Sequence, residues 1–330
     1  MTSKPLLTIA IPTFNRASIL DKSLSILIPQ LIPFSDKVEL IISDNCSTDN
    51  TQSIISKYQQ KKGNIRFVSY LQNENTGYFG NFKLCKQLST GDFFWLLSDN
   101  EHLTNSAISV LINIIEVQKE CSAFYLDSFS ITQSCNQSNT FNLQFADDFF
   151  NTESAYSSTL ISSVIFRNHH DHDELLFSRF NNNLFLGFLL LCNVLSNKDI
   201  ICTLRYSFFC SYPTKVSFDV FKAWSADIMQ CVDFMVERGL LNEMTKEIFK
   251  TGYIRTNLFG HVVLFRKGKA AGFISNNLNE LRIILDKYYL TNVAYRKHVY
   301  PILHTSNLGF KFFLLRRKIA RPFNRFFSKN

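Results

Sequence analysis

The sequence predicts an α/β fold: a mostly parallel sheet with helices on both faces. Three observations lead there. Four apolar runs of strand length, Leu6–Ile11, Val38–Ile42, Ile65–Tyr70 and Phe93–Leu97, recur within the first hundred residues. The segments between them carry apolar residues at helical spacing, which gives the order β-α-β-α-β-α-β. The first run, LLTIAI, does not alternate with polar residues, so it suits a strand covered on both faces. Crossovers of this kind are right-handed and give parallel pairing.

Each element has a local reason. Pro12-Thr13-Phe14-Asn15-Arg16 is expected to end the first strand. The next helix carries Ile19, Leu20, Leu24, Leu27 and Ile28, and stops before Pro29 or Pro33. The second strand runs into Ser43–Thr51, where Asp49 or Asn50 caps a helix bearing Ile54, Ile55 and Tyr58. The third strand leads through Asn73, Asn75 and Gly77 to a helix across Phe82–Leu88. Gly91-Asp92 then opens the fourth strand, and Ser98 closes it.

Three of these strands end in polar residues: Pro12–Arg16, Ser43–Asp49 and Ser98–Glu101. In a parallel sheet those ends converge on one edge, where ligands of open α/β sheets bind. Asp99 and Glu101 then have two readings. They cap a helix that begins near Thr104, or they hold a divalent cation, Mg²⁺ or Mn²⁺, against a diphosphate. The chain has no G-x-G-x-x-G after its first strand and no G-x-x-x-x-G-K-[ST]. Dinucleotide and P-loop sites therefore lack their phosphate cradles, and a phosphate-handling site here needs a metal and a basic group such as Arg16.

Composition sets the bounds. The 330 residues are 46% hydrophobic and 19% charged, which supports a sizeable core and excludes global disorder. The eight cysteines form no C-x-x-C pair and follow no secretory leader, so they read as reduced thiols in a cytoplasmic protein. The formal charge is +8, and Lys311, Arg316, Arg317, Lys318, Arg321, Arg325 and Lys329 supply seven of it without an acid in residues 301–330. The remainder is near neutral in sum, which argues against a nucleic-acid-binding body. The longest apolar run, Leu184–Leu195, is too short to span a bilayer.

The blocks TIAIPTFNRA (8–17), VELIISDNCSTDNT (38–51) and NTGYFGNF…TGDFFWLLSDNE (75–101) resemble family 2 glycosyltransferases of the GT-A fold, in order and spacing, across about the first 105 residues. SDNCSTDNT and WLLSDNE are most similar to bacterial enzymes that add sugars, including 3,6-dideoxyhexoses such as abequose, during O-antigen synthesis. The resemblance implies a nucleotide-sugar donor and inversion at the anomeric carbon. It places Pro12, Thr13 and Asn15 along the donor, beside the candidate basic group Arg16, Asp44 on the base or ribose, Asp49 under that loop, Asn81 in the donor pocket, and Asp99 with Glu101 at the metal. The family motif is Asp-rich, whereas this chain has Asn100 in the centre and Glu101 last.

An inverting transfer needs a carboxylate base. Tyr156–Arg167 resembles the family's block after the metal motif, and Asp171, Asp173 and Glu174 beyond it are candidate bases, Asp173 first; the alternative is a solvated loop. His169, His170 and His172 do not follow a zinc spacing. The expected organisation is a catalytic domain over 1–180, a helical acceptor-side region over 181–305 and a tail over 306–330. In that tail Phe312, Leu315, Ile319, Phe323 and Phe326 form an apolar stripe at 100° per residue, with Lys311, Lys318, Arg325 and Lys329 elsewhere and Pro322 as a break. Such a segment lies on an anionic membrane or packs on the protein body. The acceptor that the resemblance implies, an oligosaccharide on a polyprenyl diphosphate, is itself bound to the cytoplasmic membrane, so the chain is expected on its inner face. A non-catalytic module that binds nucleotide sugar is the rival reading.

Overall fold

The computed structural model describes residues 4–127, 140–152, 158–159, 161–170, 173–211, 222–268 and 277–319. Asp171, His172, Pro322, Phe323 and Phe326 lie outside them. The first half follows the alternation read from the sequence: β1 (Leu7–Thr13), α1 (Ala17–Leu31), β2 (Val38–Asp44), α2 (Thr51–Lys61), β3 (Arg66–Leu71), α3 (Gly77–Leu88) and β4 (Phe93–Leu96). Beyond it come β5 (His102–Leu103), α4 (Ala107–Val117), β6 (Ala123–Leu126), β7 (Thr140–Phe145), α5 (Ala146–Phe150), β8 (Val164–Arg167), α6 (Asp173–Arg179), α7 (Leu186–Val194), β9 (Ile200–Arg205) and β10 (Phe209–Ser211).

Eight strands form one sheet in the order β3-β2-β1-β4-β8-β6-β9-β7, and β10 pairs with β5 apart from it. Pairing is parallel across β3-β2-β1-β4 and between β6 and β9, while β8 and β7 run against their neighbours. The core lies between sheet and helices: Ile9, Leu40, Trp95 and Phe124 pack with Leu24, Ile28, Leu111 and Ile115 of α1 and α4.

Three expectations change. Pro12 does not end the first strand; β1 runs on to Thr13, with Pro12 opposite Ser43. The β1–β4 register stops at Ala10, and Leu97 N donates to Ala10 O. Pro12 faces that same side one step beyond β4, where no ladder bond needs its missing N–H. Second, the stretch expected to be helical from 184 contains β9 and β10. Ile200-Ile201-Cys202-Thr203-Leu204 is rich in β-branched residues and closes a gap between β6 and β7. Third, the compact unit that holds the sheet comprises Met1–Thr214 and Gln230–Thr245, so it runs past residue 180.

A second unit comprises Lys215–Met229 and Lys246–Asn330. Its described residues are helical, with π-helical turns at Ala223–Asp227, Ile254–Leu258 and Tyr295–Val299, and helices Phe259–Arg266, Leu278–Tyr289, Tyr300–His304 and Asn307–Ile319. Tyr289, Tyr295, Val299, Ile302 and Leu303 are buried within it. No helix among the described residues is long and apolar enough to cross a membrane.

Candidate active site at the carboxyl edge of the sheet

The parallel strands place their carboxyl ends side by side. Thr13 ends β1, Asp44 ends β2, and Asp99 follows β4 by three residues. All three side chains are buried, and Asp99 is 3% exposed. Asp99 is bonded on every side. Its Oδ1 accepts from Arg16 Nη1 at 2.7 Å, its Oδ2 from Thr13 Oγ1 at 3.0 Å, and its backbone oxygen from Ser23 Oγ of α1 at 2.5 Å. Burial still raises its pKa, against the pull of Arg16 and Thr13.

Glu101 stands beside it. Burial pushes its carboxyl up to about 7, a hydrogen bond from Ser162 opposes that shift, and the charge of Asp99 adds to it. Its Oε2 is buried without a hydrogen-bond partner. Ser162 leads into β8, the neighbour of β4; its Oγ accepts from Ser98 N and its backbone oxygen from Trp95 Nε1, both at 2.9 Å. Asn100 turns aside, with Oδ1 accepting from Ser98 Oγ at 2.7 Å.

The loop after β2 is tied to the loop after β1. Asp44 Oδ1 accepts from Ser47 N and Oγ, and its Oδ2 from Gln52 Nε2. Asn15 adopts φ +51°, a left-handed conformation that asparagine tolerates better than most side chains. Asn15 N donates to Ser47 Oγ at 2.8 Å and its Oδ1 accepts from Thr48 N at 2.7 Å. Asp49 joins two helix starts: Oδ1 accepts from Thr51 N and Oγ1, and Oδ2 from Ala17 N. Of the two caps weighed for α2, Asp49 supplies the side-chain bond and Asn50 supplies none. Asn81 Nδ2 reaches Thr13 O and Ser43 O from α3, at 3.3 and 3.2 Å. Pro12, Thr13, Asn15, Arg16, Asp44, Asp49, Asn81, Asp99 and Glu101 thus share one edge.

Of the expected bases, Asp173 and Glu174 do not join them, and Asp171 lies outside the described residues. β8 runs against β4, with Arg167 opposite Phe93, so the chain after β8 emerges at the amino edge. Asn168 N there donates to Asp92 O. Asp173 is buried on the far end of α3, its Oδ2 2.8 Å from Lys86 Nζ, and Glu174 is paired with Lys83 and Gln87. A carboxylate missed by the sequence reading does lie on the site's edge. Asp127 follows β6, two strands from β4 or about 10 Å. Its N donates to Leu204 O, and its Oδ2 is 3.8 Å from Arg205 Nε. The signal was present: Ala123–Leu126 is an apolar run followed at once by an acid, as before Asp44 and Asp99.

Asp99 and Glu101 fit a divalent cation. Two hard carboxylates are adjacent, and one buried oxygen lacks a donor. Among the described residues no group of three or more His, Cys, Asp or Glu could hold a metal ion. The protein alone supplies part of a coordination shell, which suits an ion completed by phosphate oxygens and water.

Residues 8–171 match the family model described as glycosyl transferase family 2. The chain thus carries a glycosyl transferase family 2 domain. Among its family relatives are a Campylobacter jejuni GalNAc(5)-diNAcBac-PP-undecaprenol beta-1,3-glucosyltransferase, 32% identical over 33% of this chain and 34% of that one, and a Salmonella typhimurium abequosyltransferase, 30% identical over 35% and 34%. The matched stretch spans about a third of each relative's length. Solved structures share the GT-A fold of this chain. Staphylococcus aureus TarS 1–349 in complex with UDP-GlcNAc superposes with a TM-score of 0.59 at 13% identity, covering 92% of this chain and 88% of that one. The Pyrobaculum calidifontis mannosyltransferase PcManGT, in complex with GDP-Man and Mn²⁺, gives 0.51 at 14% identity over 93% and 88%.

Proposed function

We propose that the chain transfers a sugar from a nucleotide-sugar donor to a lipid-linked saccharide, with inversion at the anomeric carbon, in the synthesis of a bacterial surface polysaccharide. The observation that carries this reading is the set Thr13, Asp44, Asp99 and Glu101, the first three buried, brought to one edge by neighbouring parallel strands of a family 2 domain. The nucleoside lies along Pro12–Asn15 and the Asp44–Asp49 loop, with Asn81 behind both. Asp99 and Glu101 hold Mg²⁺ or Mn²⁺, which when bound offsets the charge that grows on the departing nucleoside phosphate. Arg16 offers a guanidinium to the same diphosphate.

The acceptor hydroxyl attacks the anomeric carbon as the bond to phosphate breaks, and its proton passes to a carboxylate base. Asp127 is the base this geometry favours, because it shares the edge and stands to one side of the metal pair. The two relatives' names support the finer reading: one acts on a PP-undecaprenol-linked saccharide, and the other transfers abequose. We assign the chain a polyprenyl-diphosphate-linked acceptor, a 3,6-dideoxyhexose or related donor sugar in O-antigen synthesis, and a place on the inner face of the cytoplasmic membrane. A nucleotide-sugar-binding module without turnover is the second reading, favoured by the far-edge placement of Asp173 and Glu174.

Thermal-shift binding of CDP, UDP, GDP and dTDP, with and without Mn²⁺, tests the donor site. A ligand of the folded state raises Tm by mass action. One nucleotide is expected to raise Tm, and to raise it further with Mn²⁺, and Asp99→Asn to abolish the metal-dependent part of the shift. Turnover of the matching nucleotide sugar on a lipid-linked acceptor separates transferase from module; Asp127→Asn is expected to lose turnover by about 10²-fold or more and keep the shift. No shift with any nucleotide would overturn the reading.

A further inference from the structure

We infer that Arg16 is a resident counter-ion of Asp99, which yields that carboxylate to a divalent cation when a nucleoside diphosphate arrives to take the guanidinium. The inference rests on the assignment of Asp99 and Glu101 to the metal. It adds a coupling device: metal and donor bind together because one side chain stands between them.

The geometry gives Arg16 both positions. Its Nη1 lies 2.7 Å from Asp99 Oδ1, an oxygen that a cation on this carboxylate needs. Among the described residues this is the hydrogen bond its side chain makes, so Nε and Nη2 remain for an anion. The Arg16 side chain is 35% exposed, whereas that of Asp99 is 3% exposed: the cation can leave and the carboxylate cannot. The backbone beneath Arg16 is fixed. Asn15 is held by Ser47 and Thr48, and Ala17 N donates to Asp49. Motion therefore belongs to the side chain, whose planar fork matches phosphate oxygens.

The charges give the direction. Arg16 pairs with Asp99, the charge of Asp99 bears on Glu101 beside it, and Glu101 Oε2 has no donor. A divalent ion arriving alone meets Arg16 at its ligand and is repelled. A diphosphate arriving first draws the guanidinium outward and frees Asp99 Oδ1. By linkage the effect is reciprocal: metal tightens nucleotide by the same factor that nucleotide tightens metal.

The test is Mn²⁺ binding to the full chain, read as loss of the free-ion electron paramagnetic resonance signal. Wild type, Arg16→Gln, Arg16→Lys and Asp99→Asn are compared without nucleotide and with CDP, UDP, GDP or dTDP, after melting curves confirm folding. Arg16→Gln is expected to bind Mn²⁺ alone about tenfold tighter than wild type, and to lose a similar factor from the gain that nucleotide gives. Arg16→Lys keeps the charge and should stay within about twofold of wild type. An unchanged or weaker Mn²⁺ affinity in Arg16→Gln, with binding that Asp99→Asn abolishes, overturns the counter-ion role and leaves the metal site standing. No bound Mn²⁺ in any protein with any nucleotide overturns the metal assignment and the inference with it. In wild type, the hand-over also requires the Arg16 Nε–H resonance to move on adding the bound nucleotide without metal; a static resonance counts against it.

Discussion

Asp49 holds two helices with one carboxylate. Oδ1 caps α2 through Thr51, and Oδ2 takes Ala17 N at the start of α1. The Thr51 hydroxyl, then the Ala17 and Thr51 amides, hold its carboxyl below the usual range. The sign follows from linkage. A depressed folded pKa contributes stability that is present above the ordinary carboxylate value and is lost as pH falls through the folded value. Asp49→Ala is expected to cost about 1–2 kcal/mol at pH 7, the range of a lost N-cap, and to flatten the fall of stability on the acid side of pH 4. Urea denaturation of both proteins between about pH 3 and pH 7 checks both points; parallel pH profiles would remove Asp49 from that role. At this scale much of the site was legible. Asp44 and Asp99 stand at the ends of apolar strands, Asp49 follows in the loop after β2, and parallel pairing decides which edge they reach. Bonds such as Arg16–Asp99 were not legible, because a partner 83 positions away depends on how α1 sits over β4.

Among the elements, the four parallel strands and their crossover helices could be read because each apolar run is local. The antiparallel strand β8 carried the main error. Its direction sends Asn168, Asp173 and Glu174 to the amino edge, and no local pattern in Val164–Arg167 states that direction. What those residues do there is structural. The Lys86 side chain is fully buried, and its Nζ contacts Asp173 Oδ2 at 2.8 Å, His169 O at 2.9 Å and His170 Nδ1 at 3.3 Å. The pair fastens α6 to α3. Burial lowers the Lys86 pKa and Asp173 opposes the shift, as for a cation retained by its partner. Lys86→Met strands a buried carboxylate and is expected to cost about 3–5 kcal/mol, while Lys86→Met with Asp173→Leu should recover most of it. Chemical denaturation measures both. Nucleotide binding should survive in the double variant, since the pair lies away from the donor edge; its loss would return Asp173 to the site.

Across the whole molecule, the charge of +8 is the sum of two unlike parts. Residues 246–330 hold 17 Lys and Arg against Glu247, Glu280 and Asp286, and the first 245 residues hold 18 against 24 Asp and Glu. The near-neutral remainder inferred outside the last thirty residues is therefore an average, and the basic excess reaches well upstream of the tail. All three acids are already engaged: Glu247 with Lys250 and Asn292, Glu280 with Asn277, and Asp286 with Tyr295 and His304. The same unit exposes Ile283 at 70%, Val293 at 69%, Leu308 at 66% and Phe312 at 59%. Basic residues with exposed aliphatic and aromatic side chains suit an anionic lipid interface, where each Lys or Arg near the surface contributes about 1 kcal/mol. A nucleic acid has no use for the apolar set. The full chain is expected to sediment with phosphatidylglycerol-containing vesicles and not with pure phosphatidylcholine. Binding should weaken steeply between about 0.1 and 0.5 M salt, as the Debye length shortens, and Leu308→Ser with Phe312→Ser should weaken it further at fixed charge. Retention on heparin with no binding to anionic vesicles would assign the basic unit to a soluble polyanion and remove the membrane from the proposed function.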